Sequence, residues 1–423
     1  MNEDNNEDFL KHSSKNSENP KGMNMYEKAA YYGKYKKAWA SQGHFNYRQV
    51  CLSGALPEVE LLLPGNPNKT LISVVSNDYL GLSQHPDVKA AAITAIDRYG
   101  AGATASPAIG GQMDYHQAVE QKIAAFYRQQ SAILFPSGYA ANVSAMQALF
   151  KKEDFVLADD SIHASMREGI KYTTQVKTFN HNDMEHLENM LKLIAGKYRS
   201  VAVVVDGVYS QPGDIAPLRD IIWLCKKYGA FLVVDDAHGV GVIGKTGRGV
   251  IEHYDAWDDV DLITGTFSKT FGHQGGFVVA KPEIVEYLQF HAAHHTFSVA
   301  LPPTIACVLE SIALVDREPQ HMHRLWENLN YLNSGLKGMG LDTGNTTSAI
   351  IPVITKDAGL NAEVCRLLLL EGIYANQIGY PAVSMNYARI RMAITASHTR
   401  EHLDRILNAW AAVIKKVKSI VKK

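Results

Sequence analysis

Two stretches decide how this chain is read: Val233-Val234-Asp235-Asp236-Ala237-His238 and Gly265-Thr266-Phe267-Ser268-Lys269-Thr270-Phe271-Gly272. Each follows an apolar run of strand length, residues 231–234 and 262–267. Working outward, residues 132–135, 201–205 and 276–279 are further predicted strands. Helices are expected between them. One passes through Val143 and Met146 after Pro136-Ser137-Gly138-Tyr139, and another covers 217–228 with Leu218, Ile221, Ile222 and Cys225 on one face and Gly229 closing it. Apolar strands alternating with helices predict an α/β fold, with a large, doubly wound, mostly parallel sheet covered on both faces.

The flanks have a different character. Residues 1–24 are rich in Asn, Glu, Ser and Lys and lack an apolar core, so they are expected to be a disordered leader and not a signal peptide. Residues 25–75 are expected to form an N-terminal arm, with a helix over 25–45 and a strand over 71–75. Residues 76–317 form the large domain, which includes a helix opened by Pro86 and ended by Gly100. From 318 a long helix and two strand–helix units, 350–370 and 389 onward, predict a small C-terminal α/β domain.

Bulk properties remove several function classes. The 423 residues carry a net charge of −1 with 46% hydrophobic and 20% charged residues. Such a balance gives no reason to expect nucleic acid or an anionic membrane as partner. Cys51, Cys225, Cys307 and Cys365 are widely spaced, with no C-x-x-C pair, so reduced thiols and no metal site are expected. No apolar run is long enough to cross a bilayer, and a cytoplasmic protein is the expectation.

The two opening stretches carry the chemistry. A lysine among small hydroxyl residues, downstream of a strand-terminal acid and histidine, is the layout of a pyridoxal-phosphate (PLP) site. The Lys269 amine condenses with the aldehyde, Thr266 and Ser268 can hold the phosphate, and Asp235 keeps the pyridine nitrogen protonated. Asp235 and His238 sit where open parallel sheets bind ligands, beyond the carboxyl end of a strand. Ser137-Gly138-Tyr139 opens a helix after a strand and aims N–H groups at an anion. Gly239-Val240-Gly241-Val242-Ile243-Gly244 matches the dinucleotide fingerprint, but Asp-Asp-Ala-His separates it from the strand and a second glycine run follows it. It is therefore expected to be a tight loop and not a nicotinamide site.

Jointly, several blocks resemble the α-oxoamine synthases, PLP enzymes of fold type I that condense an amino acid with an acyl-CoA and lose carbon dioxide. They are Asn77-Asp78-Tyr79-Leu80-Gly81-Leu82, Ser137-Gly138-Tyr139, Asp206-Gly207-Val208-Tyr209-Ser210, the two opening stretches, Phe297-Ser298, and Arg391 with Ser397-His398-Thr399. The resemblance implies PLP as cofactor and a homodimer with shared sites. It makes Lys269 the covalent anchor and proton-transferring base, with His163 stacked on the ring, His238 on its phenolic oxygen and Asp235 on its nitrogen. Thr266, Ser268 and Ser210, with Ser298 from a second copy, would complete the cofactor site alongside Ser137, Gly138 and Tyr139. Arg391 would fork the substrate carboxylate, a bidentate task suited to Arg. Asn77 would lie near the site across the dimer, and Ser106 beside the acyl group.

The loop after Ser106, Pro107-Ala108-Ile109, is apolar where many relatives carry Arg or His. It offers no cation to a succinyl carboxylate, which disfavours 5-aminolevulinate synthesis. The leading expectation is a serine palmitoyltransferase-like enzyme taking a long uncharged chain. The alternative is 8-amino-7-oxononanoate synthase- or glycine C-acetyltransferase-like activity. A PLP aminotransferase or a non-catalytic relative ranks below both.

Overall fold

In a computed structural model, residues 17–63, 66–171 and 175–418 are described; residues 1–16 of the expected leader lie outside them. By contacts the chain divides into two compact units, one of residues 77–325 with 347–349, the other of residues 1–76, 326–346 and 350–423. The segment read as an arm thus groups with the C-terminal part of the chain, and the later division falls within the helix Gln320–Gly338.

The first unit is built on seven strands: β1 (Ser131–Phe135), β2 (Phe155–Asp159), β3 (Gln175–Phe179), β4 (Val201–Asp206), β5 (Phe231–Asp235), β6 (Leu262–Thr266) and β7 (Gly276–Ala280). Their order is β1-β7-β6-β5-β4-β2-β3. The five strands β6, β5, β4, β2 and β3 run parallel. β7 runs antiparallel to both β6 and β1. Parallel neighbours need crossovers, and helices Ala164–Ile170, Met184–Ile194 and Leu218–Tyr228 supply them between β2 and β5. The last stops at Gly229, whose φ of 66° is a left-handed conformation that glycine adopts without steric cost.

Burial explains why these runs are strands. Val203, Val204 and Val205 are fully buried and β-branched, each contributing about 1.5–3 kcal/mol by leaving water. One core cluster joins Ile133, Val156, Val204, Val233 and Val278 of the sheet to Ala141, Ala145 and Met146 of the helix Gly138–Leu149. β2 and β3 went unpredicted. β3 is an edge strand in which only Phe179 is buried, so it carries almost no apolar signal.

The second unit holds a four-stranded sheet and a three-stranded one. The predicted strand at 71–75 is the end of a longer strand, Asn66–Ser73. In the three-stranded sheet Ile350–Lys356 and Asn376–Ile378 flank Ala388–Ala393, all antiparallel. The helix Arg400–Lys416 packs its Trp410 in full burial, with the indole N–H on the Met392 sulfur at 3.4 Å. His398, fully buried here, bonds the Ser73 carbonyl at 3.0 Å, and burial pulls its pKa down to about 4. No helix among the described residues is long and apolar enough to cross a membrane.

Candidate active site

The carboxyl ends of β4, β5 and β6 open onto a cavity of about 240 Å³, lined by Asp206, Asp235 and Thr266 from those strand ends. Asp235 is 6% exposed and well supplied with donors. Its Oδ1 accepts the Ala237 N–H at 3.0 Å and its Oδ2 accepts the Asn142 side-chain amide at 2.7 Å. These bonds fix the direction of its carboxyl group. Asn142 also donates to Ser165 Oγ at 2.9 Å, and Ser165 Oγ meets His163 Nδ1 at 2.7 Å. A continuous chain therefore links the strand-end acid to His163. That histidine caps the helix Ala164–Ile170, and its backbone N–H donates to Asp206 Oδ1 at 3.2 Å. Burial lowers the His163 pKa, the charge of Asp235 opposes this, and the charge of Lys269 adds to it. A neutral imidazole, the form suited to lying against an aromatic ring, is the result.

His238 is buried and shares a 2.6 Å hydrogen bond from Nδ1 to the hydroxyl of Tyr79, which also donates to Asn77 Oδ1 at 3.2 Å. Asn77 thus reaches the site through Tyr79 within a single chain. Lys269 lines the cavity from the loop between β6 and β7. That loop is pinned by the Phe267 N–H on the Gly275 carbonyl at 2.9 Å and the Gly272 N–H on the Lys269 carbonyl at 3.0 Å.

On the anion side, Ser137 caps the helix Gly138–Leu149 by accepting the Ala140 N–H at 3.1 Å. Thr266 Oγ1 lies 2.7 Å from Ser268 Oγ and donates to the Gly275 carbonyl at 2.9 Å. A Cβ on Gly138 would stand 2.7 Å from Thr266 Cβ, so only glycine lets the helix start close on these hydroxyls. A helix start, its dipole and two hydroxyls are together a setting suited to an anion. Tyr139 is half exposed and meets His163 edge-on, with ring centroids 6.3 Å apart.

Of the predicted residues, Lys269, Asp235, His238, His163, Ser137, Gly138, Tyr139, Thr266 and Ser268 line this cavity. Ser210, Ser106, Ser298 and Asn77 are not among its lining residues. Ser106 precedes the short helix Pro107–Ile109 without a side-chain capping bond, and the Ile109 side chain is 82% exposed. Arg391 belongs to the other unit, buried on the strand Ala388–Ala393 opposite Pro352 and Asn376. Its neighbour Arg389 is equally buried and donates from Nε to the Tyr387 carbonyl at 3.0 Å.

The structure adds Tyr79, Asn142, Ser165 and Asp206 to the site. Of these, Asp206 left a readable sign, an acid ending an apolar strand as Asp235 does. Behind them, His181 places Nδ1 3.0 Å from Asp159 Oδ1 and Nε2 3.0 Å from Asp214 Oδ2. Burial works against its charge but is outweighed by the two carboxylates together, and its pKa is raised to about 10.

The glycine-rich run is a loop, and the next helix starts only at Gly249. A Cβ on Gly239 or Gly249 would collide with the Asp236 carboxyl at 2.0 or 1.7 Å, and one on Gly241 with Thr270 at 2.1 Å. The glycines wrap Asp236, whose Oδ2 accepts the Tyr127 hydroxyl at 3.1 Å and whose pKa burial pushes to about 8. Among the described residues two clusters have metal-ligand spacing, Asp159 and Asp160 with His181, and His85 and His321 with Glu318. There His85 Nδ1 accepts the Asp87 N–H at 3.3 Å, which leaves Nε2 as the protonated nitrogen facing Glu318.

The sequence profile of the family described as aminotransferase class I and II matches residues 69–409. The chain belongs to this family. Within it, the chain is similar to the 8-amino-7-oxononanoate synthase of Thermoanaerobacter pseudethanolicus, 40% identical over 354 residues covering 83% of this chain and 90% of that protein. The 8-amino-7-oxononanoate synthase 1 of Bacillus subtilis is 38% identical, covering 81% and 87%. Among solved structures, a serine palmitoyltransferase from S. paucimobilis with a bound PLP–myriocin aldimine matches with a TM-score of 0.89 at 31% identity, over 94% of this chain and all of that one. The 8-amino-7-oxononanoate synthase of Francisella tularensis matches at 0.71 and 28%, over 82% and 98%. The family member described here is thus a PLP-dependent acyltransferase of the α-oxoamine synthase group, as its motifs implied. Its cavity fits that cofactor: a strand-end acid with a donor on each oxygen, a neutral histidine, a lysine, and a helix start beside two hydroxyls that suits a phosphate.

Proposed function

We propose that this α-oxoamine synthase makes 8-amino-7-oxononanoate, the alternative and not the leading expectation of the sequence reading. The name carried by relatives up to 40% identical over most of the chain supports this best. The serine palmitoyltransferase likeness supports the fold and the reaction type, at lower identity.

The product's connectivity names the substrates. Atoms C8 and C9 of an 8-amino-7-oxononanoate are an amine-bearing carbon and a methyl, which is what alanine leaves after losing its carboxylate. Carbons C1 to C7 are a seven-carbon dicarboxylic acyl group whose thioester carbon becomes the ketone. Its five methylenes suit an apolar loop such as Pro107-Ala108-Ile109, and burying them would contribute about 4 kcal/mol at about 0.8 kcal/mol each.

Bound in the cavity, PLP supplies an electron sink for negative charge at the amino acid's α-carbon. The chain's residues do the rest. Lys269 anchors the cofactor and carries the proton to and from the α-carbon. Asp235 would keep the ring nitrogen protonated, His163 would support the ring, and His238, oriented by its hydrogen bond with Tyr79, would bind the phenolic oxygen. Ser137, Gly138, Tyr139, Thr266 and Ser268 would hold the phosphate, with Ser210 and, from a second copy in a shared-site homodimer, Ser298. Arg391 takes the substrate carboxylate. The new bond joins the α-carbon to the acyl carbon, the thiol departs, and the carboxylate leaves as carbon dioxide.

A matrix of amino acids against acyl thioesters, read by thiol release and product mass, tests the assignment. Alanine with the seven-carbon dicarboxylic acyl thioester should turn over at least about tenfold faster than serine with a palmitoyl donor, a barrier difference of about 1.4 kcal/mol. The reverse order would overturn it. Lys269→Ala should abolish turnover while PLP still binds non-covalently; retained activity would remove Lys269 from the mechanism.

A further inference from the structure

The cofactor cavity contains two carboxyl groups where one suffices to pair with a ring nitrogen. Asp206 and Asp235 end the adjacent parallel strands β4 and β5 and are register partners, so their side chains leave the sheet on the same face. Both line the cavity and both are buried, at 3% and 6% exposure. Their surroundings differ. Asp235 accepts hydrogen bonds on both oxygens, from Ala237 N–H and the Asn142 amide. Asp206 accepts the His163 N–H at the longer distance of 3.2 Å. Two carboxylates side by side out of water cannot both stay ionised, and the proton goes to the one less well supplied with donors.

We propose that Asp206 is a neutral carboxylic acid in the working enzyme, a hydrogen-bond donor lining the cofactor cavity, and that Asp235 alone carries the negative charge. The charged groups around Asp206 bear this out. Burial, the largest influence, and the charge of Asp235 push its pKa well up; the His163 N–H works the other way. Asp159 adds to the rise, and the Lys269 charge opposes it more weakly than any of these. His163 is itself held neutral, and burial keeps the Tyr209 hydroxyl, which would also feel any charge on Asp206, from ionising. Asp206 is thus a positioning residue: it holds the His163 backbone by accepting its N–H and offers a proton to the cavity without adding a second anion beside the substrate.

This inference rests on the PLP reading of the cavity, and the test separates the two. Affinity for PLP is measured for wild type, Asp206→Asn, Asp206→Ala and Asp235→Asn, and the infrared spectra of PLP-loaded wild type and PLP-loaded Asp206→Asn are recorded at pH 7. Asn reproduces a neutral acid's shape, acceptor and donor, so Asp206→Asn should hold PLP within about threefold of wild type, while Asp206→Ala loses about tenfold. Asp235→Asn should lose about a hundredfold or more, as expected when a buried charge pair is broken. In the infrared difference, Asp206→Asn should remove a carbonyl stretch of protonated acid and leave the carboxylate bands unchanged. Loss of carboxylate bands instead, or equal loss of PLP in the two Asn variants, overturns the proposal. Undiminished PLP binding by Asp235→Asn would overturn the cofactor assignment, and the infrared result would still decide the state of Asp206.

Discussion

Replacing His181 by Gln tests the clamp behind the site quantitatively. The ring lies between Asp159, fully buried, and Asp214, with its edge against Tyr209 at a centroid distance of 4.4 Å. Its pKa rises from 6.5 to about 10, so the folded state binds the proton more tightly than the unfolded chain. At about 1.36 kcal/mol per unit this corresponds to at most about 5 kcal/mol. Because the ring is about a quarter exposed, solvent screening reduces the expected contribution to roughly 2 kcal/mol. The sign follows from the raised pKa. The contribution is complete below pH 6.5, declines above it, and is gone once the pH has passed about 10. Urea denaturation of wild type and His181→Gln at pH 6, 8 and 10.5 should therefore show a stability gap of about 2 kcal/mol that closes as the pH rises. A gap that stays constant, or widens, would mean the imidazolium is not what holds these loops. Asp159 lies four residues before His163, so the variant should also loosen PLP binding at neutral pH.

Two further outcomes can be checked with the same protein. Tyr79→Phe removes the partner of His238 Nδ1 and should lower turnover about fivefold, near 1 kcal/mol, with little change in thermal midpoint; an unchanged rate would show that His238 needs no orientation. Gly138→Ala places a methyl 2.7 Å from Thr266 Cβ and should weaken PLP binding while costing about 1–3 kcal/mol in stability, read by cofactor titration and denaturant melts. Equal affinity would mean the cradle can open to make room.

Much of this fold is legible in sequence because burial and secondary structure coincide there. Residues 201–205 are an apolar β-branched run, and a strand buried on both faces is what such a run makes. Proline and glycine at 86, 100 and 229 mark helix ends for backbone reasons that need no tertiary information. β3 fails the same reading because an edge strand buries little. The pairing of β7 with β1 has no local sign, since those partners lie more than a hundred residues apart, whereas its pairing with β6 closes a short loop. Within the site, the lysine, acid and histidines could be picked out by residue type and by family likeness. Tyr79 and Asn142 could not, because each acts on a group at least 93 positions away, and a hydrogen bond of that span leaves no periodicity. Asp206 was quoted as part of a shared block, yet its role appears only once the strand register sets it beside Asp235.

The pairing of β6 with β7 bears on how Lys269 can do two jobs. The two strands are joined directly, with Gly276 opposite Thr266, and the loop carrying the lysine is stitched across its neck and again at its turn. Thr270 is tied to the Val240 carbonyl at 2.7 Å, and a Cβ on Gly272 would strike the backbone of Ser83. A peptide so tethered is an anvil and not a hinge. The anchor and proton carrier proposed for Lys269 would therefore be two postures of one flexible four-carbon stem, the travel of its amine set mainly by rotation about those side-chain bonds.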